Sequence, residues 1–154
     1  MYARCSVATA SLAFSIAAQA QNLGLVGYGY YLPQPAITAA PGQVMMISVF
    51  GIRTPFPVKI ANNQLPKQIN GVSVTLRQAN TAPVIAGLFG IQQTACSQPA
   101  TCAQVTNITM LMPFELAVDN RPGPLPVLEI QENGVVTGQI PVRPIPDSIH
   151  ILNA

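Results

Sequence analysis

The sequence predicts an all-β sandwich, and three observations carry that expectation. Fifteen prolines interrupt the chain, and no segment between them repeats apolar residues with the 3.6-residue period of an amphipathic helix. Many short β-rich runs are separated by Gly, Pro and Asn turn signals. One of those signals, Asn133-Gly134 within Pro126–Val142, is the strongest short-range hairpin cue a sequence carries.

The register of that hairpin follows from its faces. A two-residue Asn-Gly loop opposes Ile130 to Thr137 and Leu128 to Gln139, which mixes apolar with polar on one side. A three-residue loop, Glu132-Asn133-Gly134, opposes Ile130 to Val136 and Gln131 to Val135. It gathers Leu128, Ile130, Val136 and Ile140 on one face and Val127, Glu129, Gln131, Thr137 and Gln139 on the other. Because side chains alternate with a period of two, the second register is expected. It implies a type I turn with a G1 bulge and Gly134 at positive φ. A hairpin with one dry face needs a second sheet to cover it.

The other elements follow in order. Residues 1–20 read as a cleaved secretory signal peptide. Arg4 supplies the positive start, Val7–Ala18 the apolar stretch and Ala18-Gln19-Ala20 the small-residue cleavage site. The apolar stretch is shorter than the about 20 residues a bilayer needs. No later run is longer, so no membrane span is expected in the mature chain. Its expected location is secreted, either extracellular or periplasmic. Residues 21–39 form a lead-in with Gly24, Gly27 and Gly29 beside Tyr28, Tyr30 and Tyr31. The plain reading is a flexible leader. The sharper one is an arm that docks on a sheet edge of its own or a neighbouring subunit, with those three tyrosines as candidate partner contacts.

Residues 40–154 form the sandwich domain. Ala40-Pro41-Gly42 turns into a β-rich run, Gln43–Phe50, which Gly51 ends. Arg53–Pro57 carries two prolines and is excluded from a central strand. Val58–Ile60 fits a short edge strand, Asn62–Gln68 a loop and Asn70-Gly71 a second turn. Val72–Leu76 alternates strictly and is expected to be a half-buried strand. Val84–Ile91 is the next run, with bends at Gly87 and Gly90. Thr106–Met112 directs Ile108, Met110 and Met112 to one face. A long turn-rich crossing, Phe114–Pro126, leads to the hairpin and is long enough to change sheets, as Greek-key connections do. Ile149–Leu152 is a short terminal run.

Charge is sparse. Charged residues make up 8% of the chain, against an ordinary share of about 25%. Without Arg4 the seven cations become six against five carboxylates, a net +1. So weak and scattered a charge argues against nucleic acid or an anionic membrane as partner. Solubility falls to Gln, Asn, Ser and Thr, which suits an exported β protein or one packed against neighbours. Cys96 and Cys102 remain after the signal, and an even pair in an oxidising compartment reads as a disulfide. Its short loop limits the contribution to about 2–3 kcal/mol. The C-x5-C spacing and the lack of nearby histidine disfavour the alternatives, a redox pair or a metal site.

Several phrases stand in a recognisable order. Ala40-Pro41-Gly42-Gln43 leads into a strand ending Phe50-Gly51. Gly71-Val72-Ser73-Val74-Thr75-Leu76 precedes Ala82-Pro83-Val84-Ile85. Thr106-Asn107-Ile108-Thr109-Met110-Leu111-Met112-Pro113-Phe114-Glu115 follows, then Pro122-Gly123 and the Asn133-Gly134 hairpin. The order resembles the Ig-like C-terminal domain found in secreted acidobacterial proteins, over about Ala40–Val142. Gly90–Val105, with both cysteines, is an insertion relative to that pattern, and Asn107 stands where the family carries Gln. The resemblance implies an Ig-like antiparallel β-sandwich with Greek-key connections and an extracellular setting. It carries over no site residues, because the family has no established ones.

The residues do not assemble an active site. His150 is the single histidine, and Asp147 and Ser148 lie too close to it along the chain to build a triad. No catalytic residue, metal ligand or cofactor is therefore assigned. Zinc would need three or four clustered ligands. Asp119-Asn120 gives calcium too few oxygens. Glu129 and Glu132 have the residue types of a glycosidase pair, but both are expected on the hairpin's wet side or turn. Asn107-Ile108-Thr109 matches a glycosylation sequon and reads better as the start of a strand. A carbohydrate-binding sheet face would want exposed aromatics, and the chain has no Trp. The expected function is a non-catalytic module in extracellular or cell-surface adhesion, with a protein or cell-surface partner. The alternative is a fibre subunit assembled through the N-terminal arm.

Overall fold

The computed structural model describes residues 23–28, 35–53, 59–62, 64–94, 104–118 and 123–146. The expected signal peptide, Tyr30, Tyr31, Cys96, Cys102, Asp119, Asn120 and His150 lie outside the described residues. Within them the chain forms ten strands and no helix: β1 (Gly24–Tyr28), β2 (Ile37–Ala39), β3 (Val44–Phe50), β4 (Lys59–Ile60), β5 (Val72–Arg77), β6 (Val84–Ile85), β7 (Gly87–Thr94), β8 (Val105–Leu111), β9 (Val127–Glu132) and β10 (Val135–Pro144). They make two five-stranded sheets, one in the order β1-β3-β8-β7-β4 and the other β2-β10-β9-β5-β6.

Period-two alternation builds the interior between the sheets. Met45, Ile47 and Val49 of β3, with Ile108 and Met110 of β8, belong to the same buried cluster as Val72, Val74 and Leu76 of β5 and Leu128 and Ile130 of β9. Thr106–Met112 behaves as its pattern predicts, with Ile108, Met110 and Met112 fully buried. Burying these branched and long apolar side chains is the main favourable term in the fold.

Several expectations are corrected. In the lead-in, the described residues 23–28 and 35–39 are not loose, and the first of them dock on a sheet edge of their own chain, the sharper of the two readings. β1 pairs antiparallel with the rim of the first sheet, Leu25 opposite Val49 and Tyr28 opposite Ile47, and β2 belongs to the second sheet. Leu25 and Tyr28 pack on the core, and that burial offsets the entropy of ordering the segment. The second sheet is mixed rather than purely antiparallel, because β2 runs parallel to β10, with Ile37 opposite Val142 and Ala39 opposite Pro144. Val84–Ile91 is two strands, not one. Val84–Ile85 pairs with β5. After Ala86 the chain crosses to the first sheet and pairs with β8. A bulge lies between Leu88 and Gly90, close to the glycines that signalled a bend. β5 is covered on both faces, since Ser73 and Thr75 are buried along with Val72, Val74 and Leu76.

The hairpin register also differs. Val135 opposes Glu132 and Val136 opposes Gln131, so the loop is the two residues Asn133-Gly134. Both have positive φ, 52° and 80°, the signature of a type I′ turn, whose twist matches that of the flanking strands. The mismatch of faces is repaired further along β10. A bulge between Val136 and Gly138 places Gly138 opposite Ile130 and Ile140 opposite Leu128. The extra residue, Thr137, is buried, and its Oγ1 donates to the Ile130 carbonyl at 3.1 Å. Leu128, Ile130 and Ile140 reach the core as expected, while Val136 is exposed.

Hydrogen bonds define the two ends of the sandwich. At one end Asn70-Gly71 forms a second two-residue turn, with Ile69 and Val72 exchanging both backbone bonds at 2.9 Å. Asn133 N donates to Gly71 O at 2.7 Å, locking the two turns together. Thr94 and Val105, which pair at the ends of β7 and β8, lie in register with Phe50. At the other end Gly42 N donates to Met112 O at 3.0 Å. There Gln78 Nε2 donates to Glu115 O and Gln78 Oε1 accepts from Ala117 N, both at 2.7 Å.

Candidate interaction surface

The two glutamates of β9 show what the polar side chains do. Glu129 and Glu132 stand three apart on one strand, so they point to opposite sides and do not converge as an acid–base pair. Neither is on a wet surface, contrary to the pattern-based expectation: both are buried. Glu129 lies in register between Thr75 and Gln139 on the outside of the second sheet. Arg77 Nε is 2.5 Å from its Oε2, and Gln139 Nε2 donates to its Oε1 at 3.0 Å. A buried carboxylate is tolerable when charge and hydrogen bonds surround it. Glu132 closes the end of the sandwich by accepting from Arg53 N at 3.2 and 3.4 Å. Both carboxylates therefore knit strands together. Among the described residues no group of three His, Cys, Asp or Glu gathers where a metal ion would sit.

Arg77→Ala is expected to lower stability by about 1–2 kcal/mol, less than for a fully buried pair because half of the Arg77 side chain is exposed to solvent. A urea titration reads this directly. An unchanged midpoint would show that Gln139 suffices to hold the carboxylate.

The outer faces of the two sheets differ in kind. That of the second sheet mixes Ile85 and Val136 with Arg77, Glu129, Gln131 and Gln139. On the first sheet, the residues that register turns outward are Val44, Met46, Ser48 and Phe50 of β3; Val105, Asn107, Thr109 and Leu111 of β8; Gly90 and Gln92 of β7; and Ile60 of β4. None is charged. Val44 is 54% and Ile60 76% exposed, and Met46 and Phe50 are also exposed.

A groove of about 280 Å³ crosses this face. Met46, Ile60 and Phe89 supply apolar walls, Gly90 and Asn107 line its middle and Lys59 adds a cation. β4 closes tightly over Gly90, where an added Cβ would sit 2.9 Å from Lys59 O. Ser48 Oγ donates to Asn107 Oδ1 at 2.7 Å, which fixes that amide on the sheet.

Of the residues proposed from sequence as contacts, Tyr30 and Tyr31 lie outside the described residues. Tyr28 is 5% exposed and belongs to the interior cluster. Asn133 and Gly134 form the turn at the sandwich end. Sequence reasoning missed the outer face of β3. The available signal was the run Val44-Met45-Met46-Ile47-Ser48-Val49-Phe50: a strand wet on one side alternates with polar residues, and this one does not.

Fold and surface together define a two-sheet β-sandwich with one partly apolar outer face, on which the described residues that register turns outward carry no charge. No family model, curated protein or solved structure matches the chain.

Proposed function

We propose that the chain is an exported, non-catalytic Ig-like module that works by binding a protein through the outer face of its first sheet. Strand order supports the Ig-like part. In Ig domains strands A-B-E-D make one sheet and C-F-G the other. Here β1-β3-β8-β7 follow the order of the first set and β10-β9-β5 that of the second, read from G to C. The departures are plain. The chain has no Trp, and no described strand contains a cysteine, so the inter-sheet disulfide of antibody domains has no counterpart in these strands. The cleaved leader ending at Ala20 and the Cys96–Cys102 disulfide belong to the same reading and rest on the sequence.

The observation that carries the binding role is the exposed apolar, uncharged face. Interface centres are depleted of charge and enriched in aromatic residues and Met, and contiguous exposed apolar surface marks interaction sites on folded proteins. The fibre alternative, assembly through the N-terminal arm, has less support, because Gly24–Tyr28 already pairs with β3 of its own chain.

Photo-crosslinking tests the reading. A photoreactive residue at Met46 is expected to yield covalent adducts with protein in the native extracellular setting. One at Val136, on the opposite sheet, is expected to yield none. Equal yields from both, or none from Met46, would overturn it.

A further inference from the structure

We infer that the partner of this face is a second copy of the same chain, joined face to face about a two-fold axis; this rests on the binding role proposed above and names its occupant. Three properties of the face fit a copy of itself.

The first is charge. A two-fold interface brings each surface patch against its own equivalent, so any patch of one sign repels itself. The described outward residues of β3, β7 and β8 and Ile60 of β4 carry no charge. Lys59, on the edge strand, is the single cation lining the groove, and a charge at the edge of the sheet stays near solvent. The opposite face, with Arg77 and Glu129, lacks this property.

The second is hydrogen bonding. The polar groups of the face are Ser48, Gln92, Asn107 and Thr109. Amides and hydroxyls hold donors and acceptors together, so such groups pair with their own copies, which a surface of carboxylates or of cations alone does not. Ser48 already occupies Asn107 Oδ1, which leaves the Asn107 Nδ2 donors for a carbonyl or hydroxyl across the axis.

The third is size. Five strands about 4.8 Å apart, with seven residues in β3 at about 3.4 Å each, span a projected area on the order of 500 Å². Side chains roughen that area, which brings the accessible surface near the about 800 Å² per partner of a standard stable interface. Val44, Met46, Phe50 and Ile60 spread across β3 and β4 supply its apolar contacts. The short β4 edge disfavours edge-to-edge pairing as the mode of contact.

The test uses the full mature chain in sedimentation equilibrium over a wide concentration range. The expected result is a monomer–dimer equilibrium. Met46→Lys and, separately, the more exposed Val44→Lys set like charges near the axis and are expected to weaken association about a hundredfold. Val136→Lys, on the other sheet, is expected to leave it unchanged. Circular dichroism of each variant, matched to the wild type, guards against loss of fold, and Val44→Lys keeps the test open should Met46→Lys fail to fold. A wild type that stays monomeric at every concentration, or a dimer indifferent to both lysines, overturns the inference. The binding role fails separately: Met46 crosslinks to a different protein retain it while removing self-association, and absent crosslinks remove both.

Discussion

Ile108→Ala is expected to lower the stability of the domain by about 2–5 kcal/mol, read as a lower denaturant midpoint at unchanged slope. Ile108 lies on β8, the middle strand of the first sheet, and is fully buried. Its neighbours in register, Ile47 and Ile91, are fully buried as well. Truncation there removes transfer energy and leaves a cavity, because neighbouring strands on both sides hold the backbone in place and limit collapse. Domains of this size have about 5–15 kcal/mol of stability to lose. A loss below 1 kcal/mol would mean that the two sheets do not pack across this strand.

Gly138→Ala is expected to cost about 1–3 kcal/mol, the range for overpacking, and to loosen the N-terminal strand. An added Cβ would lie 2.4 Å from Leu23 Cβ and 3.1 Å from its Cγ and Cδ2. Gly138 stands on β10 just past the bulge, opposite Ile130, so the clash falls between the second sheet and the residue that leads into β1. Either β10 or Leu23 must move, and Leu23, near the start of β1, moves at lower cost. Chymotryptic cleavage at Tyr28 should then rise. Adding Leu23→Gly removes the atom that clashes and should recover about 1 kcal/mol as a coupling between the two changes. Additive losses would show that Gly138 acts through its own backbone and not through the packing of Leu23.

These expectations also mark where sequence reasoning succeeded. Val72–Leu76 and Thr106–Met112 were legible as strands because apolar and polar residues alternate along them with a period of two, although β5 is buried on both faces. Asn133-Gly134 was legible as a turn for a local reason too, since both positions take positive φ and few other residues do so readily. The register of the hairpin was not. Its polarity mismatch pointed to a longer loop, whereas the chain keeps the tight turn and inserts the extra residue at Thr137. Gly138 was the available hint, since glycine inside a strand signals a bulge or a close approach, and here it serves both.

Glu129 and Glu132 were misread for a related reason. A charged residue in an alternating strand is ordinarily wet, and nothing near it in the chain reveals that Arg77 and Gln139, or Arg53 N, will meet it in space. The candidate surface was legible only as an absence, the missing polar alternation of Val44–Phe50. Which of its apolar residues face out and which face in depends on what lies across the sheet.

The sequence by itself determined the positions of β3, β5, β8 and the β9–β10 hairpin with its Asn-Gly turn, and the lack of helix among the described residues, because dihedral preferences and side-chain alternation act between residues close along the chain. The tertiary structure decided the parallel docking of β2, the crossing at Ala86, the burial of two glutamates and the uncharged outer face. Each of those depends on contacts between residues distant in the chain, where the free energy of burying one side chain is set by a neighbour that local pattern does not name.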